Sequence, residues 1–466
     1  MNPGSSAKDQ PVQADAPASV ETLVASQTGW LTRLTNALQA RYLWSVGAQG
    51  LVSGFHFALN LWLVRTVARE DFGIYAFAFV LALFASAINN ALIATPLSVW
   101  TPVIKDPQQR RESEGMFSTL NSLLFLVLGA LGCAYAFVTT EPGEARLTVL
   151  GVTAFVAIYA ARQYSRTTGY ARMRPLVPAA GDVSYVLVGT VLVSLIFWFG
   201  GMPPIGLVLL ALAGANATAM LVESVCLNRQ LQWPTGLSGW NSLGNYRSLW
   251  KETRWALIGS MTTLFLAQAH SLVVTWRIGP DAFAPLAAGF VLFGPIRIAL
   301  ITWQNMVKPE LAVALSEGRA RSVRSQLKRT TVITAVAVLI LGALLFLGWG
   351  HIHAFLYANR YADAPMGLIV TLWALTTFFA ASYNAPSAAL QALKDFRLLA
   401  MASIYGAILS ATLVIVLLWQ FGAVHTLLGV LAAEMFMAVW LMRQLSLRLE
   451  QQASSGAGDE PKVASV

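Results

Sequence analysis

The sequence predicts an all-α polytopic membrane protein with twelve transmembrane helices in two six-helix lobes and both termini cytoplasmic. Three observations carry this expectation. Of 466 residues, 56% are hydrophobic and 11% charged, with a mean hydropathy of +0.60. A water-soluble domain needs roughly 25% charged residues to cover its surface. Apolar runs of about 20 residues, enough to cross a hydrocarbon core, recur along the chain. Lys and Arg then gather on one side of the spans so defined.

Residues 1–40 are polar and rich in Ala, Ser, Pro and Gln, and hold no apolar core of a signal peptide's usual length. Leu31, Leu34 and Leu38 recur there at helical spacing beside Trp30 and Arg33, which fits either a short helix lying on the membrane or a frayed tail. Spans follow near 43–64, 74–100, 116–138, 147–161, 179–199 and 205–227. A second set lies near 255–275, 282–306, 331–350, 366–388, 398–419 and 424–445. The fourth is the shortest.

With the N-terminus inside, cytoplasmic segments hold 25 of the 31 Lys and Arg residues. Outer loops hold five (Arg65, Arg69, Arg146, Arg277 and Arg360), and Arg297 falls within a span. Arg162, Arg166, Arg172 and Arg174 count as an inner loop on this scheme. One missed helix would scramble the bias. The net charge of +9 therefore reads as loops facing an anionic inner-membrane surface, with no nucleic acid as partner. Cys133 and Cys226 lie in apolar runs and supply neither a disulfide framework nor a metal site.

The chain divides into a tail (1–40), an N-lobe (41–227), a polar linker (228–254), a C-lobe (255–445) and a second tail (446–466). A weak repeat joins the lobes. Phe72, Ala76, Phe79, Val80 and Leu81 match Phe283, Ala287, Phe290, Val291 and Leu292 at one constant offset, and Glu223 meets Glu434 at the same offset. A parallel repeat of this kind places a cavity between two bundles that rock against each other.

"REDFGIY" (69–75), which ends helix 1 and opens helix 2, resembles the acidic-Phe-Gly-x-Tyr turn of the polysaccharide transporters. These are the Wzx-type lipid-linked oligosaccharide flippases of the MATE-like MOP superfamily. "FLYANRYADAPMGLIVTLWAL" (355–375) is similar to that family's entry to helix 10, and "ALQALKDFRLL" (389–399) to its turn between helices 10 and 11. The resemblance implies a MATE-like fold in a bacterial inner membrane and a polyprenyl-pyrophosphate-linked glycan as substrate. Polysaccharide polymerase and export machinery are implied as partners. Asp71, Phe72, Gly73 and Tyr75 become candidates for a conformational turn, although interfacial aromatics beside a tight helix start would look the same.

Ionisable groups inside spans are costly and mark sites or interhelix ties. Arg297 follows Gly294-Pro295, where the proline removes a backbone donor. Its guanidinium could bind a pyrophosphate in a two-pronged geometry, or tie to Glu434. Glu434, Glu223 and Asp182 are candidates for carrying a coupling proton or sodium ion. The bland alternatives are headgroup contact for Glu223 and a helix-start carboxylate for Asp182. His56, His270, Asn89, Asn90, Gln304 and Asn305 are candidate headgroup ligands, with Gln268 and Asn384 as further polar surface. Each serves equally as glue between helices.

No nucleotide loop, metal cluster or nucleophile–base pair is visible, so no cofactor is expected and the chain is not read as an enzyme. The reading is a flippase moving an undecaprenyl-pyrophosphate-linked oligosaccharide to the periplasmic leaflet. A MATE-like H+ or Na+ coupled exporter of amphipathic small molecules is the alternative. A membrane glycan polymerase or acyltransferase is a third, disfavoured by short outer loops.

Overall fold

A computed structural model describes residues 44, 47–101, 104–201, 203–228, 243–296, 320–357, 360–393 and 395–456. Among these residues ten helices are long and apolar enough to cross a membrane. They are α2 (Arg69–Trp100), α3 (Pro107–Thr139), α4 (Glu144–Ala171), α5 (Leu176–Gly200), α6 (Ile205–Asn228), α7 (Tyr246–Arg277), α9 (Ala320–Leu347), α10 (Met366–Gln391), α11 (Phe396–Phe421) and α12 (Thr426–Gly456). Two more helical stretches, α1 (residues 47–66) and α8 (Pro280–Val291), fall where the first and eighth spans were expected. The arrangement is compatible with twelve. It is all-helical because a chain in lipid must satisfy its backbone within each segment.

Several boundaries differ from expectation for one reason: charged ends lower local hydropathy without ending a helix. The fourth helix continues past 161 to Ala171, so Arg162 and Arg166 are helical rather than loop residues. α2 starts at Arg69, which puts Asp71, Phe72, Gly73 and Tyr75 in its first two turns. Phe72 and Tyr75 are fully buried, not interfacial. α7 begins at Tyr246, inside the segment expected to be linker.

α4, α5 and α6 pack together, with α2 and α3 against α4. α7, α11, α12 and α10 form a second group, which α8 and α9 join through α10. The two groups meet where α2 crosses α7 and α8. Of these, α2 and α8 are paired by the sequence repeat.

Inside α2 the backbone widens into a π turn at Asn90–Ala94. Pro96 explains it, having no N–H for the carbonyl of Leu92 and a ring that crowds it. The Tyr246 hydroxyl donates to that carbonyl at 2.7 Å. The start of α7 is thereby fastened to α2.

At the end of the bundle that the charge count assigns to the outside, the groups are sealed. A Cβ at Gly73 would lie 2.0 Å from the carbonyl oxygen of Pro280, so α2 and α8 touch backbone to backbone there. We predict that Gly73→Ala forces the helices apart, at an overpacking cost of about 1–3 kcal/mol. In a background without Cys133 and Cys226, thiol labelling of an Ala284→Cys reporter, fully buried one turn beyond the contact, should then rise from the outer side while membrane insertion is unchanged.

Candidate functional site: a buried ion cluster and an outer seal

Among the described residues, the strongest concentration of charge inside the bundle is one that sequence reasoning only half identified. Arg162, on α4, is 4% exposed. Its Nη2 donates to Asp182 Oδ1 on α5 at 2.7 Å and to Glu223 Oε1 on α6 at 2.9 Å. Nε adds a bond to Glu223 Oε1 at 3.1 Å, and Nη1 reaches Asn216 Oδ1 at 3.3 Å. The Ser165 hydroxyl donates to Glu223 Oε2. Arg166 closes the set, donating to Asp182 Oδ2 at 3.2 Å and to Gln49 Oε1 on α1 at 2.6 Å. Two guanidinium groups on α4 thus balance two carboxylates on α5 and α6, and Gln49 ties the set to α1.

The local folding explains the placement. Arg162 and Arg166 are four residues apart on α4 and so share a face. Asp182 stands more than a turn inside α5, which starts at Leu176, so the helix-start reading is corrected. Glu223 is completely buried, and the headgroup-contact alternative is corrected too. Gly181 leaves its place: a Cβ there would meet Glu223 Oε1 at 2.1 Å. His56 joins from α1, with Nε2 3.1 Å from the Tyr185 hydroxyl, whose ring lies under Arg162. The helix-forming Arg162, Arg166, Asn216 and Tyr185 were all missed as site residues. Only the pairing of Arg162 with distant acids in space marks them.

The remaining candidates are scattered. Asn89 is buried and donates to Asn121 Oδ1 at 2.6 Å, which is interhelix glue, whereas Asn90 is exposed at the π turn. His270 is buried against the Trp373 ring, with Nε2 3.1 Å from the Ser271 hydroxyl, which donates to Gln268. Glu434 accepts from the Tyr383 hydroxyl at 2.8 Å. Asn384 begins the second segment of α10. Arg297, Gln304 and Asn305 lie outside the described residues. Among the described residues no group of His, Cys, Asp and Glu could hold a metal ion.

The outer seal is polar and exposed. Arg69 on α2 donates through Nη1 to both Asp363 carboxylate oxygens, at 2.9 and 2.8 Å, and its Nε lies 3.4 Å from Asp281 Oδ1. Arg360 donates to the carbonyls of Arg65 and Thr66, the last of α1, at 3.2 and 2.7 Å. Arg65 lies over the Phe355 ring. Asp281 and Asp363 are 60% and 72% exposed, so each bridge contributes about 0–1 kcal/mol. Such a seal holds without locking.

No protein-family model matches the chain. It is 25% identical over 437 residues to the EPS I polysaccharide export inner membrane protein EpsE of Ralstonia nicotianae, covering 88% of this chain and 93% of that one. Its fold is similar to an inward-facing multidrug resistance MATE transporter of the MOP superfamily (TM-score 0.66, 12% identity, 86% and 95% covered). It is also similar to the lipid II flippase MurJ in an inward closed conformation (TM-score 0.65, 13% identity, 87% of each).

Two predictions follow from this geometry. Arg162→Ala strands the buried Glu223 and leaves Asp182 to Arg166 alone, and should cost about 3–5 kcal/mol, lowering thermal stability and yield in detergent. Gly181→Ala should do the same more mildly by displacing Glu223, while Arg174→Ala leaves stability near wild type. The second concerns pH. The hydrogen bonds from Arg69 hold the Asp363 carboxyl below its ordinary value. A depressed carboxylate stabilises the sealed state above the ordinary value and stops doing so as pH falls through the lowered one. A spin-label distance across the seal should therefore lengthen modestly below roughly pH 4, and Asp363→Asn should abolish that dependence.

The chain is a multi-pass, all-helical membrane protein with a MATE-like fold, and its likeness to a bacterial polysaccharide export inner membrane protein agrees with the resemblance read from its sequence.

Proposed function

We propose that the chain is a flippase that carries an undecaprenyl-pyrophosphate-linked oligosaccharide from the cytoplasmic to the periplasmic leaflet for surface polysaccharide synthesis. It does so by alternating access of two lobes, residues 41–227 and 255–445, and is not itself an enzyme. The carrying observation is the outer seal. α2 meets α8 in a backbone contact at Gly73 and Pro280, bordered by exposed ion pairs that little energy would open. A sugar-pyrophosphate cannot cross hydrocarbon without replacement for its water, so a gate that opens to one side at a time is what such cargo needs. The name of the Ralstonia relative supports polysaccharide as cargo, and the fold of the lipid II flippase supports a lipid-linked one.

Within this reading Arg297 receives the pyrophosphate, and Asn90, Gln304, Asn305, His56 and His270 offer polar contacts to the headgroup. Glu223 and Asp182 are the coupling groups. A proton on Glu223 would release Arg162 and loosen α4 from α6, which ties protonation to lobe geometry. Glu434 is the corresponding acid in the second lobe, and sodium is the other ion considered. Polymerase and export machinery would take the product.

A MATE-like exporter of amphipathic small molecules is the second reading, favoured by the likeness to the multidrug transporter. The test replaces Cys133 and Cys226 and bridges Arg69→Cys to Asp363→Cys with a short bifunctional thiol reagent. Surface glycan export should stop on bridging and return after cleavage of the bridge. Export that continues with the seal bridged would sink the flippase reading, and loss of drug efflux instead of glycan would favour the exporter.

A further inference from the structure

α7 runs past the membrane at its start. Its apolar span is Thr253–Arg277, yet the helix begins at Tyr246, at the end of the bundle opposite the outer seal. No side chain caps that start, and no acidic residue lies in its first turn. Free N–H groups and nearby cations make such a helix end costly by itself. These turns need support from outside the helix.

One stripe is supported by the protein. The Tyr246 hydroxyl donates to the Leu92 carbonyl at 2.7 Å, and its ring meets Phe117 edge-on. Leu249 packs beside it against the cluster of Ile93, Leu97 and Phe117. Thr253, one turn further, is buried. Spacings of three and four residues place Tyr246, Leu249 and Thr253 in line.

A second stripe has no such support. Arg247, Trp250, Lys251, Arg254 and Trp255 follow the same helical spacing, and all five are exposed. The Arg254 guanidinium lies over the Trp255 ring, 5.7 Å from its centre. No carboxylate is paired with the three cations among the described side chains. Glu252 falls, by its position, on a different stripe. The cationic stripe runs on into Ile258, an exposed apolar residue within the span, so it faces lipid and not the bundle interior. Tryptophans at the edge of a span, with Lys and Arg at the same level and just beyond, form a surface suited to an anionic leaflet.

We propose that this stripe of α7 docks on anionic phospholipid headgroups of the leaflet at that end, and that docking holds the Tyr246 tie between the two groups of helices. The cations and the tie occupy different stripes of the same turns, so both are satisfied at once. Each keeps the helix in the geometry that the other needs. An anionic leaflet therefore favours the tied form, and the tie strengthens the attraction to anionic lipid by the same factor. The inference holds whichever cargo the protein carries.

The test uses the full chain, without Cys133 and Cys226, in lipid nanodiscs. A fluorophore on the exposed Ser248→Cys should be quenched several-fold more by nitroxide-labelled phosphatidylglycerol than by nitroxide-labelled phosphatidylcholine. Raising salt from about 0.1 M to about 1 M shortens the screening length from about 10 Å to about 3 Å and should remove most of the difference. Arg247→Gln, Lys251→Gln and Arg254→Gln should each lower it, by up to about fivefold. For the tie, spin labels on Ser248→Cys and on Gln109→Cys, at the start of α3, should give one short distance in phosphatidylglycerol. In phosphatidylcholine alone the distance should lengthen and broaden. Tyr246→Phe keeps the ring and removes only the hydrogen bond; it should lengthen the distance in phosphatidylglycerol and weaken the preference for that lipid. Equal quenching by the two lipids, or a preference that survives the triple Gln variant, would overturn the docking. A distance indifferent to the lipid, or an undiminished preference in Tyr246→Phe, would overturn its link to the tie.

Discussion

A buried guanidinium in hydrocarbon has few places to go, and the first half of this molecule is arranged around giving Arg162 one. Asp182, Glu223 and Asn216 come from two other helices to meet it, and Arg166 balances the second carboxylate. Desolvating four charges is expensive, and their mutual attraction recovers the cost only with close geometry. α4, α5 and α6 are therefore held in one relative position. Hydrophobic burial alone would not do this, because lipid is as apolar as the helix faces.

The outer seal has the opposite character. Its bridges stand in water, Arg69 shares itself between two exposed aspartates, and Arg360 binds only carbonyls left free at the end of α1. Interactions of that kind choose a geometry without committing much energy to it. A stiff group of helices with a weakly joined edge is what the proposed alternating access requires. The Gly73–Pro280 contact adds the shape that makes the closed edge tight.

Much of this was legible in the chain itself. Apolar runs located the helices, and the repeat pairing Phe72 with Phe283 picked out α2 and α8, which pack on each other in the fold. What failed was local reading of groups whose partners are distant. Hydropathy ended the fourth helix at 161 because an arginine followed, yet its neutralising acids lie 20 and 61 residues further on. Asp182 looked like a helix-start residue because Gly181 precedes it, when that glycine serves to admit Glu223. Gly73 could be seen as a small residue, but nothing near it in sequence pointed to Pro280.

The π turn in α2 links these two regimes. Pro96 cannot bond the Leu92 carbonyl, so the helix widens and that acceptor is left for Tyr246 at the start of α7. The bond joins the two halves at the end opposite the seal, through one hydroxyl and a small apolar cluster that includes Ile93, Leu97 and Phe117. A directed bond at one end and exposed charges at the other suit the alternating access proposed above. The irregularity that a proline imposes on α2 thus does not end the helix: its ladder shifts to the wider π spacing, and the acceptor that Pro96 cannot serve becomes a tie to the second group.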